Sequence, residues 1–274
     1  MSDPNEPAEP KIYLLPNLMT AGNLFCGFAA VRSIIEASLL VARGDSPGSL
    51  YHEAIAFILG ACVFDLLDGR LARLGGNESA FGREFDSLAD IVSFGVAPAL
   101  LVYQIVLRDF ERTGWLIAFF YLLCGGLRLA RFNCTAQTAG DKPDKDFQGF
   151  PIPAAAGLIA SLTLLMLWLQ ADDKPPIGPW KYSLPVILLF LSFMMFSHVK
   201  YPSFKGLNWR TQRSIPAFLF VILLLACTAM NYKWMPAVIF VAFLIYGFVR
   251  PFISKALRRE IEDDPSDEAD RPVP

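Results

Sequence analysis

The stretch that decides the fold is residues 65–90, which read DLLDGRLARLGGNESAFGREFDSLAD and are flanked on both sides by strongly apolar segments. On a helix, Asp65 and Asp68 are i,i+3 neighbours, and Asp86 and Asp90 are i,i+4 neighbours. Each pair therefore projects from one helical face, with Cβ atoms about 5–6 Å apart. The spacing predicts two helices whose acid pairs face each other. We call these four aspartates the acid box.

Four clustered carboxylates need a compensating positive charge. Unpaired acids near a membrane boundary repel one another and are costly to desolvate. Ligation by carboxylates alone favours hard ions, so the acid box predicts a divalent metal cofactor, magnesium or manganese. The alternative is a charged cap in which the acids pair with Arg70, Arg73 and Arg83. Four acids at this spacing, with Gly69 and Gly82 between them, favour the metal site.

The composition is that of a polytopic membrane protein. Of the 274 residues, 54% are hydrophobic and 18% are charged, and the mean hydropathy is +0.42. These values are too apolar for a soluble domain. The five cysteines are odd in number and lack metal-ligand spacing, so we interpret them as small buried hydrophobes. No basic region precedes the first apolar segment, and a cleaved signal peptide is therefore not expected.

Apolar segments recur along the chain, each near the roughly 20 residues that a helix needs to cross a bilayer. They predict an all-α fold, a polytopic membrane helical bundle with about eight transmembrane helices. The predicted spans are Asn17–Ala37, Tyr51–Ala72, Asp86–Leu107, Trp115–Arg131, Pro151–Gln170, Ser183–His198, Ile215–Met230 and Trp234–Phe252.

Charge sets the expected orientation of this bundle. Most of the 24 basic residues fall on the side of the spans that holds both termini. By the positive-inside rule, the termini and the acid box face the cytoplasm. We expect a cytoplasmic tail at residues 1–14, a membrane domain at residues 15–255 and an acidic, disordered tail at residues 256–274. Membrane lipids are the expected surroundings, and no nucleic acid is expected as a partner.

The acid box belongs to a longer motif, Asp-x2-Asp-Gly-x2-Ala-Arg-x8-Gly-x3-Asp-x3-Asp. Its fixed positions are Asp65, Asp68, Gly69, Ala72, Arg73, Gly82, Asp86 and Asp90. The motif resembles the signature of the CDP-alcohol phosphatidyltransferase family, whose members exchange the CMP of a CDP-alcohol for an incoming alcohol. The resemblance implies that Asp65, Asp68 and Asp86 ligate metal. It implies that Asp90 is the catalytic base, and leaves open whether Asp90 also binds metal.

The resemblance also implies contacts to the nucleotide of the donor. Gly69 matches a glycine that lets the backbone approach the nucleotide, although close helix packing is an alternative for a membrane glycine. Arg73 matches an arginine that holds the diphosphate, and Ser79 lies where a hydroxyl contacts the nucleotide. Thr20 and Asn23 share one face of the first span. They are expected either to contact the nucleotide or to form hydrogen bonds between helices.

Further stretches resemble the phosphatidylserine synthase branch of the family. Arg128 and Arg131 are i,i+3 neighbours, and Asn133 follows them. The two arginines are expected either to capture an anion or to snorkel to lipid headgroups. The runs at residues 147–157 and 201–205 carry the same resemblance. It implies CDP-diacylglycerol and L-serine as substrates. The serine carboxylate would meet Arg128 or Arg131, with Asn133 nearby.

Two groups of alternatives stay open at this point. The acceptor could instead be choline, which favours an aromatic cage, or glycerol 3-phosphate or inositol phosphate, which favour more basic residues. A transporter would place ionisable groups near the bilayer midplane, in related halves. Here the acids lie at one face of the membrane and no repeat is present. The branch resemblance implies the cytoplasmic (inner) membrane, with the active site facing the cytoplasm, and a possible homodimer.

Overall fold

The computed structural model describes residues 14–75, 79–138, 146–171, 182–197, 200–202 and 227–249. Within these residues the fold is helical, apart from one antiparallel pair of short strands, β1 (Asp146–Gln148) and β2 (Lys200–Pro202). The helical elements, in chain order, are α1 (Leu14–Arg43), α2 (Gly48–Gly75), α3 (Ala80–Asp90), a π-helical segment (Ile91–Val96), α4 (Ala97–Ile105), a 3₁₀ turn (Leu107–Phe110), α5 (Glu111–Thr138), α6 (Ile152–Ala171), α7 (Ser183–Phe196) and α8 (Met235–Val249).

Five of the described helical stretches are long and apolar enough to cross a membrane, which identifies an integral membrane protein. They are Leu14–Arg43, Ser49–Leu71, Phe81–Ile105, Leu107–Thr135 and Ile152–Leu169. They correspond to the first five predicted spans. The sixth and eighth predicted spans correspond to the shorter apolar helices α7 and α8.

Some of the sequence predictions concern residues outside the described ranges. The predicted seventh span, Ile215–Met230, falls mainly on residues 203–226, and both predicted tails fall mainly on residues 1–13 and 250–274. The total of eight spans and the orientation of the bundle therefore stay predictions.

The sequence pattern predicts the third span as a single helix. In the structure this span is not one regular helix, because its backbone widens into a π-helix over Ile91–Val96. Pro98 lies just beyond this segment and has no backbone N–H, so it cannot donate to the carbonyl of Phe94 four residues earlier. The hydroxyl of Tyr121 on α5 donates to that carbonyl at 3.0 Å. A buried side chain thus satisfies an acceptor that the proline leaves without its helical donor.

Helix α1 and the π-helical segment approach each other closely beside the acid box. A methyl group on Gly27 would collide with the Ser93 hydroxyl and lie 2.7 Å from the Ser93 Cα. Small residues at such crossings let helix backbones approach in membranes. The crossing brings Asn23, one turn before Gly27, against Asp90 at the end of α3.

The short strands lie beside the ends of α5 and α7. The backbone N–H of Phe150 donates to Met194 O at 3.0 Å, which ties the segment after β1 to α7. Gly149 has a φ of +84°, and a Cβ there would collide with Met195 O. Only glycine adopts this positive φ and fits this close contact without strain. The sequence did not predict the strands, because three-residue strands carry too little alternation to detect.

The bond between Tyr121 and Phe94 gives a test of the fold. We expect Tyr121→Phe to lower the free energy of unfolding by about 0.5–1.5 kcal/mol, because it removes the hydroxyl that donates to the fully buried carbonyl of Phe94. Thermal unfolding of the purified protein in detergent measures the change. Tyr103→Phe is the matched control, since its hydroxyl has no hydrogen bond within the described residues. A Tyr121→Phe variant as stable as this control would contradict the assigned role.

Candidate active site

Two helices bring three acids of the box together. Asp65 and Asp68 lie one turn apart near the end of α2, and Asp86 lies on α3. One carboxylate oxygen from each residue lies within 4.8 Å of the others. We call Asp65, Asp68 and Asp86 the three-acid cluster. Asp68 is buried, and the other two are half-buried, so their mutual repulsion is only partly screened by water.

The donor set of the three-acid cluster suits a hard divalent cation. All three donors are carboxylate oxygens, the ligands that magnesium and manganese prefer. Asp86 Oδ1 is buried and has no hydrogen-bond partner within the described part of the chain. Buried polar atoms normally have partners, so an unpartnered anionic oxygen among two other acids is explained by a cation ligand.

Helix α1 supplies polar contacts to the acid box from the other side. The Thr20 hydroxyl lies 3.1 Å from Asp68 Oδ2, to which it can donate a hydrogen bond. Asn23 Nδ2 donates to Asp90 Oδ1 at 3.0 Å. Of the two interpretations of Thr20 and Asn23, the hydrogen bonds between helices are therefore present, and a nucleotide contact stays a prediction.

Asp90 differs from the other three aspartates in its surroundings. It lies one turn beyond Asp86, is buried, and is not part of the three-acid cluster. Its partner Asn23 is itself held, because the Ser93 hydroxyl donates to the Asn23 backbone carbonyl at 2.9 Å. The sequence analysis missed Ser93 and Gly27. The available signal was a polar and a small residue, each in an otherwise apolar segment.

Arg128 is a buried cation attracted by the acids. Its side chain is buried, and its Nε has no hydrogen-bond partner among the described residues. The attractive charges that act on its guanidinium are those of Asp90 and Asp65. A buried arginine without a full set of partners is costly, so this guanidinium is available to an anion that enters the site.

Arg131 is engaged elsewhere, although it lies only three residues beyond Arg128. Its Nη1 donates to Phe196 O at 3.3 Å, and its guanidinium carbon lies 5.7 Å from the centre of the Phe196 ring. A cation at the last carbonyls of α7 is in the favourable place for the helix dipole. Arg131 thus joins α5 to α7.

Other predicted site residues have local structural partners. Asn133 Nδ2 donates to Ser87 Oγ at 3.0 Å and to Glu84 Oε2 at 3.3 Å, which joins α5 to α3. Ser79 is the N-cap of α3, with its hydroxyl oxygen accepting from Gly82 N at 3.0 Å. Gly69 follows Asp68 on α2. The side chain of Arg73 lies outside what the structure describes.

A family model described as CDP-alcohol phosphatidyltransferase matches residues 13–197, which include the whole acid box. The chain belongs to the CDP-alcohol phosphatidyltransferase family. It is therefore a transferase, from a family that uses a divalent metal, and the three-acid cluster is a place where such an ion could bind.

Curated members of the CDP-alcohol phosphatidyltransferase family resemble most of the chain. A Helicobacter pylori (strain ATCC 700392 / 26695) protein named CDP-diacylglycerol–serine O-phosphatidyltransferase is 35% identical over 242 residues, 87% of this chain and 91% of the relative. A Bacillus subtilis protein of the same name is 32% identical over 195 residues, 70% of this chain and 91% of the relative. An archaetidylserine synthase of Methanothermobacter thermautotrophicus is 34% identical over 199 residues, 72% of this chain and 73% of the relative.

Metal binding tests the three-acid cluster. We expect Asp86→Asn to weaken Mn²⁺ binding at least about tenfold, because a neutral amide replaces a charged ligand. Titration of the purified protein, with free Mn²⁺ followed by electron paramagnetic resonance, measures the affinity. Glu84→Gln is the matched control, since it removes the same charge from the same helix outside the cluster. Equal losses of Mn²⁺ affinity in both variants would show that the net charge of the protein sets this affinity. That result would contradict a metal site at the three-acid cluster.

Proposed function

We propose that the protein transfers the phosphatidyl group of CDP-diacylglycerol to the hydroxyl of L-serine, giving phosphatidylserine and CMP. The observation that carries this proposal is the three-acid cluster, with Asp90 one helical turn further along α3. The choice of substrates is supported by the relatives from Helicobacter pylori and Bacillus subtilis, whose names state a CDP-diacylglycerol donor and a serine acceptor.

The cofactor of this reaction would be magnesium or manganese, held by Asp65, Asp68 and Asp86. All three offer hard oxygen ligands, and Asp86 Oδ1 is buried without a partner within the described residues. When bound, such an ion would neutralise negative charge on the diphosphate and on the departing CMP. Asp90 lies outside the cluster, which leaves its carboxylate for proton transfer.

Asp90 takes the proton of the serine hydroxyl in the proposed reaction. The serine oxygen forms a bond to the phosphorus that carries the diacylglycerol. The bond from that phosphorus to the bridging oxygen of the diphosphate breaks, and CMP leaves with the bridging oxygen and its electron pair. Asn23 fixes the Asp90 carboxylate through the 3.0 Å bond to Oδ1. A positioned base of this kind contributes about 10²–10⁴-fold to rate.

The donor would lie along the end of α2 and the start of α3. We assign its nucleotide to the surroundings of Ser79, of Thr20 and of Gly69, whose missing side chain would let the backbone approach a ligand. Arg73 would hold the diphosphate, because a planar guanidinium suits phosphate oxygens. The acyl chains would stay between helices in the inner leaflet, with the membrane domain at residues 15–255 in the cytoplasmic membrane and its active site facing the cytoplasm. The resemblance to the phosphatidylserine synthase branch leaves a homodimer possible.

An acceptor panel tests the proposed function. The purified protein in detergent is given CDP-diacylglycerol with Mg²⁺ or Mn²⁺, and CMP release is measured with serine, choline, glycerol 3-phosphate and inositol phosphate in parallel. We expect release with serine alone. Release with another acceptor alone would keep the acid-box mechanism and reject serine. No release from folded, metal-loaded protein, together with solute uptake after reconstitution in vesicles, would favour a transporter.

A further inference from the structure

Two buried polar atoms beside Asp90 have no hydrogen-bond partner in the described part of the chain. They are Asn23 Oδ1, on a side chain that is 0% exposed, and Arg128 Nε, on a side chain that is 8% exposed. Each buried polar atom left without a partner costs about 1–3 kcal/mol, and more for a charged group. Such atoms are rare in folded proteins, and those in a functional site are explained by a ligand that supplies the partner.

One of the two atoms lies on a residue bonded to Asp90, and the other lies on a cation that the charge of Asp90 attracts. The amide of Asn23 donates from Nδ2 to Asp90 Oδ1, and its oxygen is the other end of the same planar group. If the Asn23 amide were reversed, its oxygen would face the Asp90 carboxylate, and two acceptors would oppose each other. The hydrogen bond therefore identifies the oxygen as the end of the amide that does not face Asp90. Asp90 is also the acid that attracts the Arg128 guanidinium most strongly. The proposed base is therefore bonded to a residue with an unpartnered acceptor, and it attracts a buried cation with an unpartnered donor.

The surroundings hold Asn23 in place. The Ser93 hydroxyl bonds to the backbone carbonyl of Asn23, and the close contact of Gly27 with Ser93 leaves α1 little room to move. Arg131 is bound to the end of α7 and does not compete with Arg128 for a ligand near Asp90. Groups held before the ligand arrives lose little freedom on binding, which favours both affinity and discrimination.

A hydroxylated α-amino acid has the three groups that this arrangement can bind. Its carboxylate accepts from a guanidinium, its ammonium group donates to an amide oxygen, and its hydroxyl reaches the base. Choline has neither a carboxylate nor an N–H, and glycerol 3-phosphate has no N–H. Polar groups buried to pair with one substrate reject analogues that leave them unpaired.

We propose that Asn23 Oδ1 binds the ammonium group and Arg128 binds the carboxylate of a zwitterionic amino-acid acceptor whose hydroxyl lies at Asp90. The proposal rests on the transfer reaction described above and identifies the residues that select its acceptor. It assigns Asn23 to the acceptor, in place of the nucleotide contact that the sequence suggested as one alternative. It also chooses Arg128 over Arg131.

Acceptor analogues test the assignment in the unmodified protein. Ethanolamine lacks the carboxylate of serine, and 3-hydroxypropionate lacks its ammonium group. We expect kcat/KM, measured by CMP release, to be at least about 10²-fold lower for each analogue than for L-serine. Turnover of either analogue within tenfold of L-serine would overturn the proposal. A wild-type protein inactive with L-serine would instead reject the proposed function.

Variants then assign each group of the acceptor to its residue. Arg128→Gln should reduce the preference for L-serine over ethanolamine at least about tenfold, and Asn23→Ala should do the same for L-serine over 3-hydroxypropionate. Any general damage that Asn23→Ala causes through Asp90 lowers kcat/KM for both acceptors, so it cancels in the ratio of the two values. Arg131→Gln is the matched control, and its ratios should equal those of the wild type.

Binding without turnover gives a second readout. Calorimetric titration of L-serine into protein loaded with CMP and Mg²⁺ should show affinity lowered at least about tenfold by Arg128→Gln, with Arg131→Gln close to wild type. Unchanged acceptor ratios and unchanged serine affinity in Arg128→Gln, or a loss in Arg131→Gln as large as in Arg128→Gln, would overturn the assignment.

Discussion

The structure depends on the crowding of carboxylates where α2, α3 and α1 meet. Oxygens of three aspartates lie within 4.8 Å of one another, and a fourth aspartate is buried one turn away. Repulsion at such distances in a medium less polar than water amounts to several kcal/mol. Compensating positive charge relieves this repulsion, so a cation has a physical reason to bind there, and a bound cation would in turn attract a phosphorylated substrate. The same negative charge explains why the neighbouring contacts from α1 are hydrogen-bond donors.

The surrounding helices convert this crowding into defined geometry. Small residues let α1 approach the π-helical segment, and the contact of Gly27 with Ser93 sets the position of Asn23 beside Asp90. The wide turn itself is held from α5, because Tyr121 takes the place of the donor that Pro98 lacks. Two atoms of this network, Asn23 Oδ1 and Arg128 Nε, have no partner within the described residues. These two atoms, together with Asp86 Oδ1, are the buried polar atoms of the site to which a bound substrate or cation could supply a partner.

Much of this arrangement could be predicted from the sequence, because it depends on spacing along helices. The i,i+3 and i,i+4 pairs of aspartates specify the acid box whatever the tertiary details, and apolar segments locate the first five spans. The different partners of Arg128 and Arg131 could not be predicted, because neighbours three residues apart on a helix still meet different helices. The π-helical segment and the strand pair also depend on contacts that are distant along the chain, such as Tyr121 with Phe94.

The measurement that tests the central claim most directly is anomalous diffraction from crystals grown with Mn²⁺. The account predicts an anomalous peak bounded by carboxylate oxygens of Asp65, Asp68 and Asp86, at about 2.0–2.6 Å from each. A peak only elsewhere on the protein, or three aspartates paired with arginines and no peak between them, would contradict the account.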